Sequence, residues 1–461
     1  MRLFEQRKPK ASRHLPGKTA MVLAVLLLAY AFLFGPAAAE ERPVKLMIVS
    51  DLHYLAPSLY EESDGSFEKA LKRGDGKMSH CSREQLEGLV LEARHRRPDA
   101  LIVSGDLSFN GERESHRELA AAFETLRAEG IAVWIIPGNH DIQYPFAAKY
   151  TAGGYEILPP VTPEEFREIY AAFMSASPDS RDPVNYTVTL TDRWRLAMCD
   201  AGVYEPVPAS GGLYTGETDA WLQEVLEQAK ADRMQVITVT HQSLIPHTAF
   251  RMDAMTIENG TLMAQRMRRS GTARLNLSGH LHIQHISEEE GIFDIATGAF
   301  SVPPFRYGLL TLREDGSLAY EAAALCREHL PPAAAGQADT WFEEIVKEKE
   351  APALEALETD PEARERMLDY AARLNHAYFS GDFVSVDPQW TEDPARGLWM
   401  KIREQDAFAA YLLTLPGSPE NARSALRLNL PGPGLTDDRS DSLPGCRMRP
   451  EGERMERKPK R

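Results

Sequence analysis

Residues 131–142 read IAVWIIPGNHDI. Ile131–Ile136 is an apolar run rich in β-branched side chains, which predicts a buried strand, and Pro137-Gly138 ends it. Asn139, His140 and Asp141 then sit just past its carboxyl end. In open α/β sheets that is where ligand sites lie.

Four other stretches repeat the arrangement. Val44–Ser50 is followed by Asp51 and His53, Ala100–Ser104 by Gly105-Asp106, Val236–Thr240 by His241, and Leu275–Leu277 by Gly279-His280-Leu281-His282. The clusters therefore converge on one edge, although Asn139 and His241 are 102 residues apart. Taken singly, each has an ordinary reading. Asp-x-His and Gly-Asp are common in solvated turns, Gly-Asn-His-Asp is rich in turn formers, and a lone histidine is usually structural. All five in this order, each behind a strand, point to a functional site. Imidazole mixed with carboxylate favours Mn, Fe, Zn or Ni over Ca or Mg. Asp106, with two oxygens, can bridge a pair of cations set ~3.5–4 Å apart, the spacing that suits phosphoryl displacement. Glycine before Asp106, Asn139 and His280 lets tight turns bring the side chains together.

The ordered set Asp-x-His, Gly-Asp, Gly-Asn-His-Asp, His, Gly-His-x-His resembles the calcineurin-like metallophosphoesterase superfamily over about residues 44–325. The resemblance implies an α/β fold, a four-layer α/β/β/α sandwich with a dinuclear centre of two divalent ions. It implies that Asp51, His53 and His282 hold one metal with Asp106, and that Asn139, His241 and His280 hold the other. His140 would be the catalytic histidine that is not a ligand, oriented by Asp141, and a metal-bridging hydroxide would be the nucleophile. Asp141 in place of Glu, and the absence of Asp-Arg-Gly after Gly105-Asp106, set the chain apart from phosphoprotein phosphatases. Asp75-Gly-Lys-Met78, Gly105–His116 (GDLSFNGERESH), Pro137–Ile142 and His241–His247 (HQSLIPH) resemble bacterial class III cyclic-nucleotide phosphodiesterases with a helical C-terminal domain. The implied substrate is a small phosphodiester, 3′,5′-cyclic nucleotides foremost. A phosphomonoesterase or nucleotidase of the same superfamily, or a non-enzymatic exported binding protein, are the alternatives.

The rest of the chain fits around these motifs. Ser82/Gln85 and Ser115/Glu118 read as capping boxes, and Thr162-Pro163 as a cap followed by proline in the first turn. Strands are predicted at Val184–Leu190 and Trp194–Met198, with a helix over Thr218–Lys230. Ile292–Ala296, Tyr307–Leu312 and Leu318–Ala324 read as a closing antiparallel set. Tyr54–Ser79 is a long insertion, expected to cover the metals and shape the pocket with His247. The expected domains are the phosphoesterase over 43–327, a linker at 331–337, helices over 338–415 and a disordered tail over 416–461.

The formal charge is −16, from 52 Lys+Arg and 68 Asp+Glu. Residues 1–19 carry a net +5 and residues 446–461 a net +4, so the body between them holds −25. Such a body repels long polyanions, which excludes a nucleic-acid-coating protein but not a small ester met by metal ions. Residues 1–39 read as an export signal: a basic start, an uncharged apolar run over 20–34, Gly35-Pro36, then Ala37–Ala39. An uncleaved membrane anchor is the rival reading, and both place the enzyme outside the cytoplasm. Cys81, Cys199, Cys326 and Cys446 are too sparse for a disulfide scaffold and read as idle thiols.

Overall fold

The computed structural model describes residues 42–61, 65–72, 76–152, 154–174, 184–204, 209–248, 254–416 and 424–430. The expected export segment 1–39, with its apolar run 20–34, lies outside these residues, as do Cys446 and the tail beyond residue 430. In chain order the strands are β1 (Val44–Val49), β2 (Ala100–Ser104), β3 (Ala132–Ile136), β4 (Ala148–Thr151), β5 (Gly154–Ile157), β6 (Tyr186–Thr189), β7 (Trp194–Met198), β8 (Gln235–Val239), β9 (Ala273–Ser278), β10 (His285–Glu289), β11 (Ile292–Ala296), β12 (Arg306–Leu312), β13 (Ser317–Ala324) and β14 (Ala425–Asn429).

They form two six-stranded sheets, β14-β13-β12-β1-β2-β3 and β10-β11-β9-β8-β7-β6, while β4 and β5 make a separate hairpin. In β1 both faces are apolar. Leu46 and Ile48 enter the core between the sheets, and Met47 and Val49 enter the core under the helices. A strand buried on both sides reads as a continuous apolar run because its side chains alternate between two dry faces. Ile102 in β2 and Ile237 in β8 point into the same inter-sheet core. Helices Ser82–Arg96 and Arg113–Ala128 cover the first sheet through Leu89, Leu119 and Phe123. Helices Gly216–Asp232 and Gly260–Ser270 cover the second through Trp221, Leu222, Met263 and Met267. The result is the expected four-layer α/β/β/α sandwich.

Helices Trp341–Ala356, Pro361–Ser380, Pro388–Thr391 and Pro394–Ile402 build a further core from Leu354, Met367, Tyr370, Trp390 and Trp399. Ile283, just past the second His of Gly-His-x-His, inserts into that core. The helices are thereby fastened to a loop that carries site residues.

Several local expectations are corrected. Neither Ser82 nor Ser115 caps a helix. Ser82 Oγ donates to the carbonyl of Leu55 (2.9 Å) and Ser115 Oγ accepts from Ala56 N (3.1 Å), so both hydroxyls tie the insertion to the helices. Thr162 does form a capping box with Glu165. β11 runs parallel to β9 rather than antiparallel, because β10 returns at the sheet edge beyond it. The expected linker is the helix Pro332–Ala338, with Ala334 and Ala335 buried. The expected tail supplies β14, whose Leu426 and Leu428 pair opposite Tyr320 and Leu318. A Pro/Gly-rich average hid this five-residue alternation of leucine with polar residues.

The insertion after the first motif is mostly core. Leu55, Leu59, Phe67 and Leu71 are buried among Phe109 and Tyr150, and Lys72 pairs with Glu348 at 3.2 Å. His247 is buried against His285 and Asp294, with ring nitrogens 3.0 Å apart in the histidine pair.

Candidate metal centre

Strand order explains the convergence. β1, β2 and β3 are adjacent and parallel in one sheet, and β8 and β9 are adjacent and parallel in the other. Their carboxyl ends face one another across the sandwich edge. Asp51, His53 and His282 bring one nitrogen or oxygen each to within 4.8 Å of one another, and so do Asp106, His241 and His280. His53 Nε2 is 3.6 Å and His241 Nε2 3.3 Å from Asp106 Oδ2, so the Asp106 carboxylate stands between the two groups. Asn139 Oδ1 is 3.1 Å from His241 Nε2. All seven expected ligands therefore meet at one place.

The turns that carry them are unusual. Asp51, His53, Asp106, His280 and His282 all have left-handed backbone, with φ of 55°, 41°, 49°, 65° and 59°. For residues other than glycine this costs of order 1 kcal/mol each. Gly138 and Gly279 serve close approach instead. A Cβ on Gly138 would run into the Asp106 amide, and one on Gly279 into Ser50 Oγ.

The donor set fits a pair of cations. His241 Nδ1 donates to the carbonyl of Ser104 at 2.8 Å, which leaves the lone pair of Nε2 for the cluster. His280 Nε2 donates to the carbonyl of Ala254 at 2.8 Å, which frees Nδ1. His53 Nε2 and His282 Nε2 approach to 3.2 Å, while the buried Asp51 Oδ1 has no hydrogen-bond partner. Burial raises the acidity threshold of Asp51 and Asp106, but the neighbouring imidazoles outweigh it and hold both carboxyls below their ordinary range. Burial drives His53 well down and His280 to about 4, whereas Asp106 and Asp51 lift His241 to about 9 against its burial. A cation would displace the extra proton of His241 and meet a largely buried mix of anionic oxygens and ring nitrogens, which suits transition-metal or zinc ions.

His140 stands beside the cluster, its ring 4.9 Å from that of His53 and stacked on Tyr144 at 4.2 Å. Its amide donates to Asp106 Oδ1 at 2.8 Å. Asp141 does not orient it. The Asp141 carboxylate accepts from the amides of Leu107, Ser108 and Gly138 and so ties two site loops together. Successive residues of this turn point different ways. His140 Nδ1 is instead held by the Phe109 carbonyl (3.0 Å) and Asn110 Oδ1 (2.9 Å), and one ring nitrogen of His140 lies within 4.8 Å of a ligand atom each of His53 and Asp106. Asn110 and Tyr144 were not singled out from sequence as site residues, although Asn110 lies within the Gly105–His116 stretch. Burial lowers His140 to about 4, and the Lys77 ammonium adds to that push, as it does at His53. Lys77 is fixed from both sides: the carbonyls of Gly76 and Lys77 accept from Trp341 Nε1, and Met78 N donates to the Ser301 carbonyl at 2.7 Å.

A cavity of about 640 Å³ opens from His280 and His282 toward the C-terminal helices, where Phe342, Phe379, Phe408 and Tyr411 line it.

The model of a family described as calcineurin-like phosphoesterase matches residues 44–284, just over half of the chain. A Synechococcus protein named as a probable cyclic nucleotide phosphodiesterase is 29% identical over 189 residues, which are 41% of this chain and 60% of that protein. A glycerophosphodiester phosphodiesterase of Enterobacter lignolyticus is 28% identical over 199 residues, 43% of this chain and 59% of the relative. The chain thus spans less than two thirds of these relatives. A dimetal phosphatase from Danio rerio has 15% identity and a TM-score of 0.42, with 61% of this chain and 96% of that one covered.

Proposed function

The chain belongs to the calcineurin-like phosphoesterase family, and on that premise we propose that it is a dinuclear-metal phosphodiesterase hydrolysing small phosphodiesters, 3′,5′-cyclic nucleotides foremost. The observation that carries the proposal is the Asp106 carboxylate lying between two ligand groups, with His53 Nε2 on one side and His241 Nε2 on the other, and with His140 beside it. Asp51, His53 and His282 would hold one ion with Asp106, and Asn139, His241 and His280 the other. When bound, two such ions supply Lewis-acid charge and an activated water.

The chain's own groups do the rest. The Lys77 cation balances the charge of the entering phosphate. An anionic phosphate beside His140 raises its proton affinity from the low value that burial imposes. The imidazolium, held at Nδ1 by Phe109 and Asn110, then presents its Nε2 proton to the leaving oxygen. That assistance is worth roughly 10²–10⁴-fold. The aromatic wall of the cavity suits the base of a nucleotide, since base–aromatic stacking contributes ~1–3 kcal/mol. The cyclic-nucleotide name of the Synechococcus relative supports the same reading, and the glycerophosphodiesterase relative supports a diester more generally. On the reading of residues 1–39 as an export segment, the substrate is met outside the cytoplasm.

The test is a paired assay of the metal-replete protein on cyclic AMP, bis-p-nitrophenyl phosphate and p-nitrophenyl phosphate. Faster turnover of both diesters supports the proposal. Faster turnover of the monoester replaces it with a phosphomonoesterase.

A further inference from the structure

A second cluster of metal-ligating side chains lies outside the centre described above and shares no residue with it. Helix Ser82–Arg96 presents Glu92 and His95 one turn apart, and the single turn Arg327–His329 with its preceding residue presents Cys326 and His329 at the same spacing. Residues three apart share a helix face, so two facing pairs, Glu-x-x-His and Cys-x-x-His, are brought together. One ligand atom from each of Glu92, Cys326 and His329 lies within 4.8 Å of the others. His329 Nδ1 is 2.7 Å from Glu92 Oε2, and the His95 ring is 5.8 Å from the His329 ring, nearly perpendicular to it. Glu92 is fully buried. Its Oε1 accepts from Tyr307 (2.6 Å) and Arg96 (2.8 Å), and Oε2 accepts from Cys326 N (3.3 Å). Burial pushes its carboxyl up, yet Tyr307 and Arg96 outweigh that and keep it below the ordinary range. The Cys326 thiol is free of disulfide and bonds Glu328 at 2.7 Å.

We propose that Glu92, His95, Cys326 and His329 form a structural zinc site, additional to the two ions of the phosphoesterase centre. One thiolate, two imidazoles and one carboxylate are all ligand types that zinc takes, and four of them fill its tetrahedral shell, while the sulfur disfavours magnesium and calcium. Glu92 enters already ionised and oriented by Tyr307 and Arg96, as outer partners orient ligands in metal sites. Zinc replaces the Cys326 thiol proton, which passes to solvent, while the His329 ring shifts to its Nε2–H tautomer and so frees the Nδ1 lone pair for the metal. A turn of the exposed His95 ring supplies the fourth ligand. The ion would pin the helix over β1 and β2 to the turn where the sandwich hands over to the C-terminal helices.

The experiment uses the full chain purified in zinc, with metal counted by inductively coupled plasma mass spectrometry, and the same chain loaded with cobalt(II) for absorption spectroscopy. The proposal expects about three zinc ions per chain in the wild type and about two in Cys326→Ser. It expects a thiolate-to-cobalt charge-transfer band that Cys326→Ser loses and that His140→Ala keeps. His95→Gln should weaken the third zinc at least tenfold, with turnover of bis-p-nitrophenyl phosphate within twofold of wild type. Should Cys326→Ser fail to fold, the His95→Gln titration and the wild-type cobalt band still decide. Equal zinc in wild type and Cys326→Ser, or no thiolate band, would overturn the site and leave the four residues as a hydrogen-bonded clasp. Because the band comes from sulfur, which the phosphoesterase centre lacks, this result is independent of the catalytic reading.

Discussion

His53 Nε2 and His282 Nε2 stand 3.2 Å apart although 229 residues separate them in the chain, and Asp51 Oδ1 lies 3.3 Å from the second of them. Two ring nitrogens can satisfy each other only if one donates, and that leaves the buried Asp51 oxygen unpaired. One cation among the three satisfies all of them. His282→Ala should therefore lower the phosphoesterase ions from two to about one per chain and reduce kcat/KM at least 10²-fold. Metal analysis beside steady-state kinetics checks this. Unchanged metal content would show that these nitrogens do not bind an ion.

His140→Ala should keep both ions and lose roughly 10²–10⁴ in kcat, the range for general acid help. The loss should be greater for an alkyl leaving group than for p-nitrophenolate, which departs without a proton. Asn110→Ala, which removes one of two acceptors at His140 Nδ1, should cost about tenfold in kcat with KM little changed. Equal losses for good and poor leaving groups would remove the acid role.

The cavity wall supplies a specificity test. Phe379→Ala should raise KM for cyclic AMP by about tenfold, the equivalent of ~1–3 kcal/mol of stacking. The KM for methyl p-nitrophenyl phosphate should move far less. Parallel shifts for both substrates would mean that the wall does not hold the base.

Glu112 gives a pH-dependent stability. Burial lifts its carboxyl from 4.5 to about 8. Between these values the folded chain keeps a proton that the unfolded chain has released, so this group's contribution to stability falls as pH rises across that window and is flat above it. The slope from one such group reaches about 1.4 kcal/mol per pH unit. Glu112→Gln should flatten urea midpoints measured between pH ~5 and ~8 and stabilise the protein at the alkaline end. Identical slopes in wild type and variant would show that Glu112 is ionised throughout.

The convergence of these side chains was legible because each follows an apolar run, and a run such as Val44–Val49 ends where its pattern ends. The parallel order of the strands then fixes which ends meet. What was not legible depends on distant partners or on turn geometry. Ser82 and Ser115 have the spacing of caps, yet Leu55 and Ala56 take their hydroxyls. Asp141 adjoins His140 in sequence, yet the turn sends its carboxylate to the amides of Leu107, Ser108 and Gly138. Asn110 reaches His140 from another loop, which no spacing rule encodes. β14 was lost because composition averaged over the tail outweighed the alternation at 425–429.

The left-handed backbone at Asp51, His53, Asp106, His280 and His282 carries an evolutionary implication. Glycine would relax the backbone at each of those turns, so a lineage in which these five side chains no longer served the site would shed a backbone cost on the order of 1 kcal/mol at each replacement, set against any hydrogen bond the side chain makes. Descendants of this scaffold that had become pure binders should carry glycines first where this chain keeps His53, His280 and His282, since the Asp51 and Asp106 carboxylates still accept from the amides of His280 and His140.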